Sequence, residues 1–289
     1  MSVPELLAAV RIVLGRAEWD EAAALLDRAE PLASGEAEHA FVAMHRASIP
    51  VLRGDLDPDV RVFRENMLRR HSPRHVAVAG YYLLTHLLDT RDLAGVELYL
   101  PPFLDAVREI RETSFDLVAA DVVAAYDSLR GDHDDAIQRQ HDALENIDAY
   151  DGPDGPLCKA MALHNLSYNY LAANRFEEAL RYALEALAIA EQLGRADFLG
   201  QILLNAAFAA VCQNRVDEAE HYAERAARYV METRFERYVH YLRGEIARRR
   251  GDFDRAADHF EHLKPLYPGI PDLPEMLIGM NLAPFLLPE

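Results

Sequence analysis

Two segments of this chain repeat each other forty residues apart. Residues 161–186 read MALHNLSYNYLAANRFEEALRYALEA, and residues 201–226 read QILLNAAFAAVCQNRVDEAEHYAERA. In this alignment Asn165 falls on Asn205, and both segments carry an Asn-Arg pair nine residues later. Self-similarity at a period of about 20 to 50 residues is typical of stacked supersecondary units. The sequence therefore predicts a repeat architecture.

The same pattern occurs seven times along the chain. Each copy has a short polar turn, an anchor residue, two polar residues and then a small residue, with further small or apolar positions on the same helical face. The anchor residues are spaced 37 to 43 residues apart, and they are Trp19, Leu56, Leu93, His133, Phe176, Val216 and Phe253. Seven such units account for almost all of the 289 residues.

Each unit is predicted to be a pair of α-helices. Before the turn, apolar residues recur at helical spacing, as in Leu163, Leu166 and Tyr170. Gly or Asn stands in the turns, where a positive φ is tolerated, and acidic residues follow in the first turn of the next helix. No alternating strand pattern of useful length occurs, so the predicted fold class is all-α. In the third unit, Pro101 and Pro102 are expected to bend or split the second helix.

This pattern resembles the tetratricopeptide repeat family. The agreement is best at 157–192, 196–232 and 235–265, and the units exceed the family's usual length of about 34 residues, as in long-repeat bacterial members. The resemblance implies a right-handed superhelical solenoid of about seven helix pairs, in which the first helices line a concave groove. We assign residues 1–268 to this repeat array.

The resemblance also implies a peptide site in the groove. Asn165 and Asn205 stand where bacterial peptide-responsive regulators of this family hold a peptide backbone, and an Asn amide offers both an acceptor and donors. Nearby side chains on first helices are expected to contact the ligand, and they are Tyr168, Phe208, His164, Gln201, Tyr81 and Tyr82. The alternative for the asparagines is a hydrogen bond to a neighbouring helix, and for the aromatic residues it is packing.

Composition and charge argue against several other classes of protein. The formal net charge of −18 opposes nucleic-acid binding, which needs clustered basic residues. No apolar run approaches the length of about 20 residues that spans a bilayer, and the first residues lack the features of a signal peptide. A cytoplasmic protein without membrane contact is therefore expected. The only cysteines, Cys158 and Cys212, indicate neither a disulfide framework nor a cysteine-rich zinc site.

No catalytic, metal or cofactor site is predicted. Neither of the two close histidine pairs, His71–His75 and His259–His262, has a nearby carboxylate at the spacing of a zinc site. Adjacent acidic residues lie in predicted first turns, where the helix dipole favours them without any catalytic role. The sequence contains no phosphate-binding glycine loop and no signature of a nucleophile. We expect a non-catalytic protein.

The segment 269–289 departs from the repeat because it is rich in proline and apolar residues. It is expected either to cap the last helix pair or to dock on another subunit. The leading hypothesis for function is an adaptor or peptide-sensing regulator that binds a peptide or protein segment in its groove. The alternatives are a homo-oligomeric scaffold assembled through this segment, and a small-molecule pocket lined by His45, Tyr81 and Tyr82.

Overall fold

The computed structural model describes residues 1–55, 57–150, 152, 155–196 and 198–263. Within these ranges the chain forms fourteen α-helices, one short 3-10 turn at 30–32, and no strand. The helices are α1 (Val3–Gly15), α2 (Trp19–Ala29), α3 (Gly35–Arg53), α4 (Arg61–Arg69), α5 (Pro73–Asp89), α6 (Leu93–Ile110), α7 (Thr113–Arg130), α8 (His133–Asp148), α9 (Gly155–Ala172), α10 (Phe176–Gln192), α11 (Leu199–Cys212), α12 (Val216–Val230), α13 (Glu236–Arg249) and α14 (Phe253–Leu263). The predicted all-α class is confirmed.

Successive helices form seven pairs, as the repeat predicts. In each pair an odd-numbered helix is followed by an even-numbered one. The odd-numbered helices from α1 to α13 contact one another in sequence order, whereas an even-numbered helix mainly contacts its own partner and the next odd-numbered helix. The odd-numbered helices therefore form the inner layer of a solenoid, and the even-numbered helices form the outer layer.

Small residues allow the two helices of a pair to pack closely. In the fifth and sixth pairs, six alanines at matching positions of α10 and α12 are completely buried, and they are Ala179, Ala183, Ala186, Ala219, Ala223 and Ala226. Because an alanine side chain ends at Cβ, the partner helix can approach to a short distance. The largest hydrophobic cluster of the described residues forms around these contacts.

The turns within the pairs place one residue at positive φ. This residue is Asn174 (60°) in the fifth pair and Asn214 (59°) in the sixth, and it is Gly54 (82°) and Gly131 (91°) in the second and fourth. Gly adopts this conformation freely and Asn does so more readily than other residues. In the third pair the residue is Arg91 (59°), where a side chain costs about 1 to 2 kcal/mol.

The two prolines of the third unit do not split its second helix, so one of the two outcomes expected for them is wrong. The helix α6 runs unbroken from Leu93 to Ile110. Each proline removes one N–H from the hydrogen-bond ladder, and its ring crowds the carbonyl group four residues earlier. Leu100 and Phe103, on either side of the prolines, are buried and fix both halves of the helix to the core.

The solenoid curves until its first pairs touch its last ones. The backbone N–H of Ala196, after α10, donates to the carbonyl oxygen of Gly15 at the end of α1 (2.9 Å). The N–H of Arg234, after α12, donates to the carbonyl oxygen of Gly54 after α3 (2.7 Å). The two bonds occupy equivalent positions in the repeat. The first joins the turn of the first pair to the loop after the fifth pair, and the second joins the turn of the second pair to the loop after the sixth. We call this contact, made by Gly15, Gly54, Ala196 and Arg234, the seam.

Arg234 is the central side chain of the seam, and only 8% of it is exposed. Its guanidinium forms an ion pair with the carboxylate of Asp89 at the end of α5. The same group donates a long hydrogen bond to the carbonyl oxygen of Val51 in α3 (3.4 Å). A buried charge is stable only when it is paired and hydrogen-bonded. Arg234 therefore connects the loop between the sixth and seventh pairs to both the second and the third pair.

The seam predicts unequal effects of alanine at two glycines that share a backbone conformation. A Cβ added at Gly54 would lie 2.9 Å from the ring of Phe235, whereas a Cβ at Gly131 would meet nothing within 4 Å. Gly131→Ala should lower the free energy of unfolding by about 1 to 2 kcal/mol through backbone strain alone. Gly54→Ala should lower it by about 1 to 3 kcal/mol more, because the ring must move. Urea denaturation measures both losses, and equal losses would contradict a packed seam.

Candidate functional site

The inner layer encloses a space that some of the predicted residues reach. Tyr168 on α9 is 40% exposed, yet its hydroxyl lies next to Arg91, in the turn before α6, and close to Asp89 and Tyr238. These neighbours belong to the third and seventh pairs, so the exposed surface of Tyr168 faces a confined space between repeats. We call this space the lumen, and we call Asp89, Arg91, His164, Tyr168 and Tyr238 the lumen cluster.

The lumen cluster combines a phenol with a cation. Burial raises the pKa of Tyr168, and the nearby Arg91 guanidinium opposes that shift by favouring the phenolate. Asp89 is already paired with Arg234, and Arg91 forms no ion pair with any residue that the structure describes. The cluster can therefore donate hydrogen bonds to carbonyl or carboxylate oxygens of a ligand.

His164 and Asn205 contact each other between α9 and α11. The amide Nδ2 of Asn205 donates to the backbone carbonyl oxygen of His164 at 3.3 Å, and it lies 3.3 Å from Nδ1 of the imidazole. Burial lowers the pKa of His164 to about 4, so the ring is neutral at pH 7 and can both donate and accept a hydrogen bond. Asn205 itself is only 8% exposed, so much of its amide is already in contact with α9.

Asn165 also has a partner on the preceding first helix. Its amide lies beside the carboxyl group of Asp121 on α7, as does the amide of Gln140 on α8. Neither amide atom of Gln140, nor Oδ1 of Asp121, has a well-formed hydrogen bond among the described residues. Both asparagines therefore lie against a neighbouring helix, and Asn205 makes the hydrogen bond that the sequence left open as an alternative. Their role in peptide binding stays a prediction.

Burial dominates the electrostatics of Asp121. It raises the pKa of this carboxyl to about 7, although the Gln140 and Asn165 amides act in the opposite direction by stabilising the carboxylate. The group is therefore partly protonated at neutral pH. Asn165 thus lies against a buried carboxyl group whose charge depends on pH.

The structure does not bring all eight candidate residues together. Phe208 is buried and stacks on Tyr241, with ring centroids 5.9 Å apart, so it packs α11 against α13. Tyr81 and Tyr82 lie side by side on α5, with ring centroids 5.2 Å apart. Gln201 lines a separate cavity at the seam. Of the eight candidates, only His164 and Tyr168 on α9 therefore belong to the lumen cluster.

Sequence reasoning missed Arg91 as a lumen residue. It belongs to a turn, and it reaches Tyr168 only because the solenoid curves. One signal was present in the sequence, since Arg91 stands where the fifth and sixth units have Asn174 and Asn214. A residue with a long side chain at positive φ indicates that another constraint outweighs the strain.

Within the described ranges, no helix is long and apolar enough to cross a membrane. The same part of the chain places no group of three or more His, Cys, Asp or Glu side chains so that it could hold a metal ion. His240 and His262 come close, with ring centroids 5.0 Å apart and an interplanar angle of 4°. Such parallel rings stack on each other and do not direct their nitrogens at a shared ion.

The raised pKa of Asp121 predicts that Asp121→Asn stabilises the protein in a pH-dependent way. The folded-state pKa of about 7 lies above the unfolded value of 3.8, so the folded state binds more protons and wild-type stability falls as pH rises between these values. The neutral amide avoids this loss. At about pH 8 the gain should reach a few kcal/mol, since one pKa unit corresponds to about 1.4 kcal/mol, and it should vanish below 3.8.

Urea denaturation at several pH values measures this gain. Asp134→Asn serves as the control, because Asp134 is exposed in the first turn of α8 and its removal should cost only a few tenths of a kcal/mol through the helix dipole. A gain for Asp121→Asn that does not change with pH would contradict a buried, titrating carboxyl.

Comparison with known proteins relates this geometry to a family. The sequence profile described as tetratricopeptide repeat matches residues 117–192, which cover most of α7 and all of α8, α9 and α10. No curated protein matches the chain in sequence. Several solved structures, however, share its fold over most of its length.

A Rap protein solved in complex with competence and sporulation factor has a TM-score of 0.57 at 13% identity, and the match covers 98% of this chain and 95% of that one. Aspartyl phosphate phosphatase F from Bacillus subtilis has a TM-score of 0.52 at 12% identity, and the match covers 98% of this chain and 80% of that one. A signal transduction ATPase with a tetratricopeptide repeat sensor, from Pyrococcus horikoshii, has a TM-score of 0.54 at 18% identity, with 90% of this chain and 40% of that one covered. At such identities the likeness concerns the fold alone. The chain therefore contains a stretch, residues 117–192, that matches a tetratricopeptide repeat, and its seven helix pairs share the fold of these solved structures.

Proposed function

We propose that this protein is a non-catalytic cytoplasmic adaptor or peptide-sensing regulator, and that it binds a peptide or protein segment in the lumen. The observation that carries the proposal is the position of Tyr168. This large side chain is 40% exposed although residues of the third and seventh pairs surround it. A tyrosine in such a place offers apolar surface and a hydroxyl to a ligand at a low cost in conformational entropy.

The surface around Tyr168 suits an extended peptide. Asn165 and His164 precede Tyr168 by three and four residues on α9, so the three side chains lie on one side of that helix. Arg91, from the third pair, adds a cation next to the Tyr168 hydroxyl. Asn165 is half-buried beside Asp121, and its amide offers both an acceptor and donors to a ligand. A peptide backbone crossing α9 would meet these groups in succession.

The comparisons support the class of ligand and leave the ligand itself open. One of the proteins that share this fold was solved with competence and sporulation factor bound. Another is named as an aspartyl phosphate phosphatase, but a likeness of 12% identity does not transfer an activity. We propose no catalytic role for this chain; its buried Glu245 carboxylate is paired with Arg248 and Arg249 on the same helix.

A peptide selected from a displayed random library against the full-length protein tests the proposal. Isothermal titration calorimetry then compares the selected peptide on the wild type, on Tyr168→Ala and on the Asn165→Ala, Asn205→Ala double variant. We expect each change to weaken binding by about tenfold or more, equivalent to about 1.4 kcal/mol, because each removes surface or hydrogen bonds from the lumen.

Asn146→Ala is the matched control, since Asn146 lies exposed on the outer helix α8; its affinity should equal that of the wild type. If Tyr168→Ala also binds like the wild type, the peptide lies elsewhere and the lumen proposal is wrong. If only the double asparagine variant keeps its affinity, the lumen holds the peptide and the asparagines serve the contacts between helices.

A second candidate function, a homo-oligomeric scaffold, is favoured by Phe253. This anchor of the seventh pair is 68% exposed on α14, whereas Phe176 and Val216, its counterparts in the fifth and sixth pairs, are partly buried. The terminal unit of a repeat array needs a covering segment, and an exposed aromatic residue there indicates a surface on which another segment or subunit packs. The segment 269–289 would provide it, either on its own chain or on another; this segment lies outside the described residues, and so does the domain boundary at 268.

Deletion of residues 269–289 tests the scaffold. If the wild type is an oligomer held together by this segment, light scattering should give the mass of a monomer for the truncated protein, because the contact between subunits is lost. Circular dichroism checks that the helices remain. An unchanged mass after deletion would exclude assembly through this segment.

A further inference from the structure

A cavity of about 240 Å³ lies at the seam, outside the lumen. One side is formed by the turn of the first pair and the end of α3, and the other by the start of α11, the end of α12 and the loops before α11 and α13. The residues that decide its chemistry are Trp19, Arg53, Gln201, Arg228, Tyr229 and Phe235. Any occupant would contact the first and the last pairs of the solenoid at once.

The size and walls of the seam cavity fit a flat ring system. A cavity of about 150 Å³ accommodates one benzene ring, so this larger space has room for two fused rings. Trp19 faces it from the first pair, and Tyr229 and Phe235 face it from the last pairs. Aromatic side chains favour flat apolar partners, which they contact by offset stacking or edge to face.

The charge of the seam cavity fits an anion. The described residues that line it include two arginines and no acidic side chain, although the whole chain has 48 acidic and 30 basic residues. Arg53 is held by two hydrogen bonds to Asp55, each 2.6 Å long. Arg228, in contrast, has no ion pair within the part of the chain that the structure describes. Gln201 belongs to the first turn of α11, where the helix dipole adds partial positive charge.

We propose that the seam cavity binds a small organic anion with a flat apolar ring system, such as a bicyclic aromatic carboxylate. The ring system contacts Trp19 and Phe235, and the carboxylate pairs with Arg228. Because the anion contacts the first and the sixth pairs, its binding stabilises the closed seam. This site is separate from the lumen, so it takes its ligand whether or not a peptide binds there.

Coumarin-3-carboxylate is a suitable probe, because its absorption overlaps tryptophan emission and Trp19 is the single tryptophan of the chain. Calorimetry on the full-length protein measures its affinity, and the emission of Trp19 reports binding nearby. We expect saturable binding that quenches Trp19 and raises the midpoint of thermal unfolding. The neutral coumarin-3-carboxamide has the same rings and should bind at least about tenfold more weakly, equivalent to about 1.4 kcal/mol.

Arg228→Gln should weaken binding of the carboxylate by about tenfold and leave the affinity for the carboxamide unchanged. Arg225→Gln is the matched control: it removes the same charge from α12, but Arg225 pairs with Glu191 and does not line the cavity. Arg228 is exposed, so its variant should fold, which circular dichroism checks. No binding of the carboxylate, equal binding of the carboxamide, or equal effects of the two arginine variants would each overturn the proposal.

Discussion

The close approach of the two helices in each pair is the constraint on which the rest of the structure depends. In the fifth and sixth pairs the contact is made by alanines such as Ala183 and Ala223, which are completely buried. A larger side chain there would separate the helices and change the angle to the next pair. Such angles add up along an array. The last pairs therefore contact the first ones only when the two helices of each pair lie at the right distance from each other.

The lumen and the seam cavity both result from that curvature. The lumen brings Arg91 of the third pair to Tyr168 of the fifth, and the seam brings Trp19 of the first pair to Phe235 before the seventh. Neither contact can form within one repeat or between adjacent repeats. A solenoid with the same helices and a wider coil would keep its core and lose both sites.

The local structure could be predicted from the sequence, and the long-range contacts could not. The Asn-Arg turns and alanine positions predict helix pairs because helical period and positive φ are local properties of the chain. The ion pair between Arg234 and Asp89 joins residues 145 positions apart, and no periodic pattern marks it. It depends on the summed rotations between successive helix pairs, and no local pattern in the sequence determines these rotations.

The candidate site shows the same division on a smaller scale. Asn165 and Asn205 are equivalent in the repeat alignment, and both do lie on the inner layer. Their partners differ, because Asn165 meets the buried carboxyl of Asp121 and Asn205 meets His164. A repeat alignment identifies which position a residue occupies, but the neighbouring helix determines what its side chain can do.

The seam also changes how such an array comes apart. In an open solenoid each repeat contacts only its neighbours, so the two ends lose their structure independently of each other. Here Arg234 holds Val51, which lies 183 positions earlier in the chain, so loosening of the first pairs removes partners from the last. A contact between residues so far apart in the sequence requires a long loop to close, which costs conformational entropy. We therefore expect local opening of the second pair to be coupled to opening of the loop before α13.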